Sequence, residues 1–138
     1  MLTLMSGTPL NFGAPGAALN APGNSQSPNI AGPVKILHGI DEALWFDTSN
    51  FSAPPTATFG NLGRYISGGP NFFTLDGSLS RKISLRERLS LELRADALSV
   101  TNTPVFDNPD TGFGNANFGK IKGAGGARSV VLGVRLMF

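Results

Sequence analysis

The sequence contains no cysteine, and only one histidine, one tryptophan and one tyrosine in 138 residues. Without cysteine there are no disulfide staples and no thiolate zinc sites, Cys₄ or Cys₂His₂, and the redox compartment stays open. No run of about eighteen apolar residues occurs, so no transmembrane helix is expected, although a transmembrane strand needs only about nine to eleven alternating residues. Charge of one sign is also scarce. The 11 basic and 9 acidic residues are interspersed, leaving a net charge of +2, which makes no basic patch for nucleic acid. The opening Met1-Leu2-Thr3-Leu4-Met5 lacks a basic n-region, and its apolar part stops at Ser6-Gly7, too short for the apolar core of a signal peptide. As written, the chain is expected to carry no export signal.

What is abundant is glycine and proline, 18 and 10 residues, about a fifth of the chain. Much of this lies between residues 7 and 70, where few apolar runs interrupt it, so that stretch reads as loop and no compact soluble core is expected.

Against that background, alternation stands out. Leu89, Leu91, Leu93, Ala95 and Ala97 alternate with Ser90, Glu92, Arg94 and Asp96. Period two places them on opposite faces of a strand. Phe73, Leu75, Gly77 and Leu79 alternate in the same way with Thr74, Asp76, Ser78 and Ser80. The short charged segment Ser84 to Arg88 between these two strands predicts an antiparallel hairpin. A third strand sets Val130, Leu132, Val134, Leu136 and Phe138 against Ser129, Val131, Gly133, Arg135 and Met137. A weaker fourth, Leu2 to Phe12, looks like a strand cut by the chain start. The expectation is therefore an all-β fold of about four antiparallel strands, near 1-12, 71-83, 88-101 and 128-138, joined by long loops 13-70 and 102-127. Leu98 and Val100 reverse the parity above Ala97, which predicts a bulge or the end of the apolar band. Asn-Phe-Gly and Phe-Gly-Asn recur, but at irregular spacing that implies no solenoid.

An alternating strand is equally compatible with a soluble sandwich, whose apolar face meets a second sheet. Four strands are too few for a paired-sheet sandwich, yet each has an apolar stripe that needs covering. The mixed charges Glu92, Arg94 and Asp96 suit the polar lumen of a membrane barrel, and one short turn between long loops matches the alternating ends of such barrels. Arg81 interrupts the apolar parity and is expected near the rim, where a long side chain can snorkel to water.

The chain resembles the C-terminal barrel segment of Oar-like TonB-dependent outer-membrane receptors, the type with a carboxypeptidase-regulatory-like domain. The resemblance rests on ordered stretches: Trp45-Phe46-Asp47-Thr48-Ser49-Asn50-Phe51, Phe59-Gly60-Asn61-Leu62-Gly63-Arg64 and Gly69-Pro70-Asn71-Phe72-Phe73-Thr74-Leu75-Asp76, followed by Leu93-Arg94-Ala95-Asp96-Ala97, Asn102-Thr103-Pro104 and Phe118-Gly119-Lys120-Ile121. Gly133, Leu136 and Phe138 look like the terminal signal read by the barrel-assembly machinery. Val131, Gly77 and Val100-Thr101 depart from the family pattern. The resemblance implies a plugged barrel of about 22 strands, of which this chain would supply about four. It also implies as partners outer-membrane lipid, the assembly machinery, the missing strands and plug of a parent receptor, and, only through that parent, the inner-membrane TonB complex. Localisation in the outer membrane is expected, with no nucleic-acid partner. Two other readings stay open: a small oligomeric outer-membrane structural protein, and a soluble β-rich binding module.

No residue pattern predicts catalysis, a cofactor or a metal. His38, alone in a Gly/Pro-rich loop, reads as a solvated side chain. Asp107-Asn108-Pro109-Asp110-Thr111-Gly112 lacks the order of a calcium loop and reads as a turn. Gly123-Ala124-Gly125-Gly126, near Lys120 and Lys122, has no following Gly-Lys-Ser/Thr and reads as a flexible external loop. No serine, histidine and acid set is available for nucleophilic chemistry, so an enzyme is not expected. Arg81, Lys82, Arg86 and Arg88, opposed only by Glu87, read as a solvated hairpin tip. Trp45, Phe46 and Phe51 could meet a ligand from a loop, whereas Phe72 and Phe73 are expected in an aromatic girdle at the membrane interface.

Overall fold

A computed structural model of the chain describes residues 1–16, 26–65 and 67–138. Residues 17–25 and 66, part of the expected 13-70 loop, lie outside the described residues. The described chain contains no helix long and apolar enough to cross a membrane. Its strands are β1 Leu2–Met5, β2 Pro9–Leu10, β3 Asn29–Ile30, β4 Phe51–Ser52, β5 Ser67–Gly68, β6 Phe72–Leu75, β7 Gly77–Arg86, β8 Leu89–Leu98, β9 Val105–Phe106, β10 Ala124–Gly125 and β11 Ser129–Met137. They belong to two units, one formed by 1–5, 72–105 and 125–138, the other by 6–71 and 106–124.

The first unit is a wall of antiparallel strands. β8 lies between β7 and β11, and β1 pairs antiparallel with β6. Period two and the register together sort the side chains. On one face Gly77, Leu79, Arg81 and Ile83 of β7 stand opposite Ala97, Ala95, Leu93 and Leu91 of β8. These in turn stand opposite Val130, Leu132, Val134 and Leu136 of β11. A ten-residue strand such as β7 is about 33 Å long when extended. Tilted by about 45°, it rises close to the ~25 Å of an outer-membrane apolar band. The stripe is open, with Leu79 and Leu132 each 76% exposed.

Several boundaries differ from the sequence expectation. The strand expected at 71-83 is broken at Asp76, whose backbone N–H donates to the Met1 carbonyl at 2.8 Å while its carboxylate accepts the Ser99 N–H at 3.0 Å. Beyond the break, β7 continues to Arg86. The turn is therefore Glu87-Arg88 alone, not Ser84 to Arg88. Neither turn residue takes a positive φ, so the turn lacks the backbone twist of the favoured two-residue hairpins. The register instead shifts between Ser84 and Arg86, and such a bulge supplies local twist. The irregularity expected near Leu98 and Val100 is a strand end: β8 stops at Leu98, and Ser99 and Asn102 turn the chain with φ of 49° and 52°. Asn102 then accepts the Arg128 N–H at 3.0 Å on its side-chain oxygen, one residue before β11. The strand expected near 1-12 is two short ones, β1 and β2. Arg81 is the fifth residue of β7 and faces Leu93, so it stands near mid-strand rather than at the rim.

The second unit is the larger correction. The stretches expected as loops, 13-70 and 102-127, hold most of an aromatic core, which Leu10 and Phe12 of the expected first strand complete. Leu10, Phe12, Trp45, Phe46, Phe51, Leu62 and Ile121 are buried, with Ile30, Val34, Ile36, Phe106, Phe113 and Phe118 packed against them. Phe12 meets Phe46 edge-on at 5.0 Å between ring centroids, and Phe51 meets Phe118 in the same way at 5.1 Å. Offset edges of this kind add about 0.5–1.5 kcal/mol per pair beyond area burial. Short pairings hold the backbone: β2 with β5, β3 with β4, and single bridges Ile36 to Phe46 and Leu44 to Lys120. Asn61 substitutes for a neighbouring strand, accepting the Ile30 N–H at 2.7 Å and donating to the Ile30 carbonyl at 3.2 Å. Glycine here permits close approach. A Cβ on Gly60 would collide with the carbonyl of Ser27, and Gly119, at φ 84°, lies against Leu44 and Thr48. High glycine content thus allows irregular backbone to pack tightly around large rings.

Candidate functional site

The polar face of the wall carries its chemistry. Ser78, Ser80, Lys82 and Ser84 of β7 stand opposite Asp96, Arg94, Glu92 and Ser90 of β8, which stand opposite Val131, Gly133, Arg135 and Met137 of β11. Glu92 thus sits in register between two cations, Lys82 and Arg135. Register alone sets these charges opposite one another, while the ion pair closed on this face joins Arg94 to Asp96. Two rungs along, Asp96 accepts from the Ser78 hydroxyl at 2.6 Å and from Arg94 Nε at 2.7 Å. Gly133 leaves a shallow hollow of about 200 Å³ against Glu92, Arg94 and Arg135. Three cations against two carboxylates make this face amphoteric with a slight positive excess. It suits contact with water and polar solutes and is costly against hydrocarbon.

Lys82 belongs to this face rather than to a solvated hairpin tip, and its pairing with Glu92 was missed in the sequence. Equal spacing about the Glu87-Arg88 turn would set Lys82 opposite Leu93, and only the register shift between Ser84 and Arg86 brings it to Glu92. Of the residues expected to form an assembly signal, Gly133 lies opposite Arg94 on the polar face, and Leu136 lies opposite Leu91 on the apolar one. Phe138, just beyond β11, is 98% exposed. Phe73 pairs with Leu4, and Phe72 with Met5. Consecutive strand residues point to opposite faces, so an outward girdle can hold only one of the two. Phe73 shares the Leu2, Leu4 and Leu75 face, and Phe72 shares the Thr3 and Thr74 face.

In the second unit Trp45, Phe46 and Phe51 are core residues, not a ligand-facing surface. Trp45 Nε1 donates to the Gly68 carbonyl at 3.1 Å. His38 is exposed, takes φ 58°, and meets Trp45 edge-on at 5.0 Å. Asp110 accepts the Gly112 N–H at 2.8 Å and the Asn115 side-chain amide at 3.2 Å, which makes the 107–112 segment an Asx-type turn. The expected flexible loop 123–126 is tied by the Gly123 carbonyl, which accepts the Asp107 N–H at 3.0 Å. Two carboxylates are held below the ordinary range. For Asp47 the chief cause is the Ser49 backbone N–H at 2.9 Å, and for Glu42 the hydrogen bond from Lys120 Nζ at 3.1 Å.

Among the described residues, two buried side-chain polar atoms lack a hydrogen-bond partner, Gln26 Oε1 and Ser67 Oγ. Gln26 is 4% exposed, and its Oε1 has no hydrogen-bond partner. Leaving such an acceptor unpaired costs about 1–3 kcal/mol. Nothing in the sequence singled this residue out.

Compared with known proteins, residues 1–131 match a family model described as an outer membrane beta barrel domain. No curated protein and no solved structure matches the chain.

Proposed function

The chain belongs to the outer membrane beta barrel domain family, and from that premise we propose that it forms part of the wall of a TonB-dependent receptor. It is an all-β protein of the outer membrane. The observation that carries the proposal is the wall itself, with one apolar face interrupted only by Arg81, one charged face and too few strands to close. Among the described residues, β7 and β11 each pair along one edge only with β8. In lipid each unpaired backbone group costs several kcal/mol, and the smallest common barrels need about eight strands. Further strands must therefore complete the cylinder. In a receptor they come from the same large barrel, whose plug would meet the Lys82, Glu92, Arg135 face.

In this reading the apolar face meets outer-membrane lipid and the second unit is the folded form of the external loops. Gly133, Leu136 and Phe138 present β11 to the barrel-assembly machinery. Coupling to the inner-membrane TonB complex comes through the complete receptor. The contribution is structural and transport-related rather than catalytic.

The same open edges favour one other reading, in which several copies complete a barrel together. Outer-membrane fractions of the source cells, probed with an antibody to the chain, separate the two. The receptor reading expects a single polypeptide several times heavier than 14.4 kDa after full denaturation, with uptake of its solute abolished when TonB is deleted. A denatured band of the chain's own mass, with heat-modifiable multimers, would replace it with the oligomer. Recovery in the soluble fraction, with cooperative unfolding in plain buffer, would sink both in favour of a soluble module.

A further inference from the structure

The aromatic unit contains a hollow of about 270 Å³ lined by Asn11, Gln26, Ser27, Phe59, Leu62 and Arg64 among others. Its rim is fixed by backbone and side-chain bonds. Gln26 accepts the Ala14 N–H at 2.7 Å on its main-chain carbonyl, Leu62 donates to the Pro28 carbonyl at 3.3 Å, and the Ser27 hydroxyl donates to the Leu62 carbonyl at 3.0 Å. Gly60 lets the two segments touch backbone to backbone, and any side chain there would force them apart.

We propose that this hollow binds a small acidic sugar, with Arg64 taking the carboxylate, Asn11 and Gln26 the hydroxyls, and the Phe59 ring one C–H face. Three observations select that chemistry. Among the described residues that line the hollow, Arg64 is the only charged one and none is a carboxylate, so an anion is favoured and a cation is not. Gln26 is buried with an unpartnered Oε1. A half-turn of its amide exchanges acceptor and donor ends, and a hydroxyl, which both donates and accepts, satisfies either. Phe59 is 67% exposed beside these polar groups, an arrangement suited to a ligand with one apolar and one polar side. Size narrows the choice further, since about 270 Å³ lies below the usual ~300–1,000 Å³ of ligand pockets. A hollow of that size holds about one sugar ring. The inference stands whether or not the wall belongs to a TonB-dependent receptor.

The test uses the full chain folded in detergent, titrated with galacturonate, galactose and acetate and followed by calorimetry and ligand-observed NMR. Galacturonate should bind saturably, and both galactose and acetate at least about tenfold more weakly. Arg64→Gln should reduce galacturonate to the level of galactose and leave galactose unchanged. Phe59→Ala should weaken both sugars by the same factor, because the ring face does not sense charge. Both side chains are exposed, and an unchanged near-UV Trp45 signal confirms that each variant is folded. Absence of saturable galacturonate binding, or affinity unmoved by Arg64→Gln, overturns the proposal. Acetate binding as tightly as galacturonate overturns the sugar and leaves only an anion site.

Discussion

The two units solve opposite problems with similar residues. In the wall, Leu79 and Leu132 lie on a stripe left 76% exposed, whereas in the other unit Phe46 is fully buried and Phe12 only 3% exposed. Regular alternation makes a flat apolar face that a strand cannot cover by itself, so its stabilising partner must come from outside. Irregular, glycine-rich chain can instead curl around its own rings. The wall therefore depends on its solvent, and the aromatic unit on its internal packing.

The sharpest way to break that contrast is Phe46→Ala. Truncating a fully buried phenylalanine costs about 3–5 kcal/mol. In the folded membrane form, hydrogen exchange should then accelerate at the amides of Leu37, Trp45 and Asp47, which bond within the aromatic unit. The β7–β8–β11 amides should keep their protection. Equal loss in both regions would show that the two units fold as one.

Leu132→Arg acts on the other side of the comparison. If the stripe meets hydrocarbon, an arginine near mid-strand should cost about 2–4 kcal/mol of folding into phospholipid vesicles. Val131→Arg, one residue away beside Asp96 on the polar face, should cost little. Denaturant titrations in vesicles measure both, and a reversed order would mean that the faces are assigned the wrong way round.

How much of this was legible in the sequence follows the same division. Strand parity could be read from β8 and β11 because period two is local, and the antiparallel order followed from one short turn. The exact register could not, because Glu87 and Arg88 carry no turn signature and the bulge beside Arg86 shifts the count. The Lys82, Glu92 and Arg135 rung was hidden for that reason. The aromatic core was invisible because its members, from Leu10 and Phe12 to Ile121, are far apart in sequence and share no period. The Gly/Pro content that argued for loops is compatible with tight packing once Gly60 and Gly119 bring backbones together. Gln26 gave no signal at all, since a buried amide is defined only by what surrounds it.

Arg81 sharpens the contrast in the stabilising direction. It is the one charge on the apolar face, opposite Leu93 and near mid-strand. Arg81→Leu should stabilise the wall in vesicles by about 1–3 kcal/mol, the smaller end applying if the guanidinium snorkels to the interface. A destabilised variant would mean that Arg81 has a polar partner and that this face is not wholly in lipid.

The smallest effect expected is on acidification, and it should be confined to the aromatic unit. Asp47 and Glu42 both have folded-state pKa values lowered by their partners, the Ser49 N–H and Lys120. A carboxylate depressed on folding contributes stability that is fully present above its unfolded pKa and is lost as pH falls through the folded one. Between neutral pH and the ordinary carboxylate range, the aromatic unit should therefore hold constant stability, then weaken slightly below that range as the two groups protonate. Glu42 is exposed and Asp47 half-buried at the surface, so the change is small and screened by salt. Asp47→Asn with Glu42→Gln should remove the part of the acid sensitivity that these two groups supply, measured as hydrogen exchange at the Ser49 and Asp47 amides across a pH series corrected for intrinsic exchange. If the double variant keeps the full acid response, the sensitive carboxylates lie elsewhere, and the loss at low pH cannot be assigned to the hydrogen bonds that hold the Trp45 to Phe51 turn.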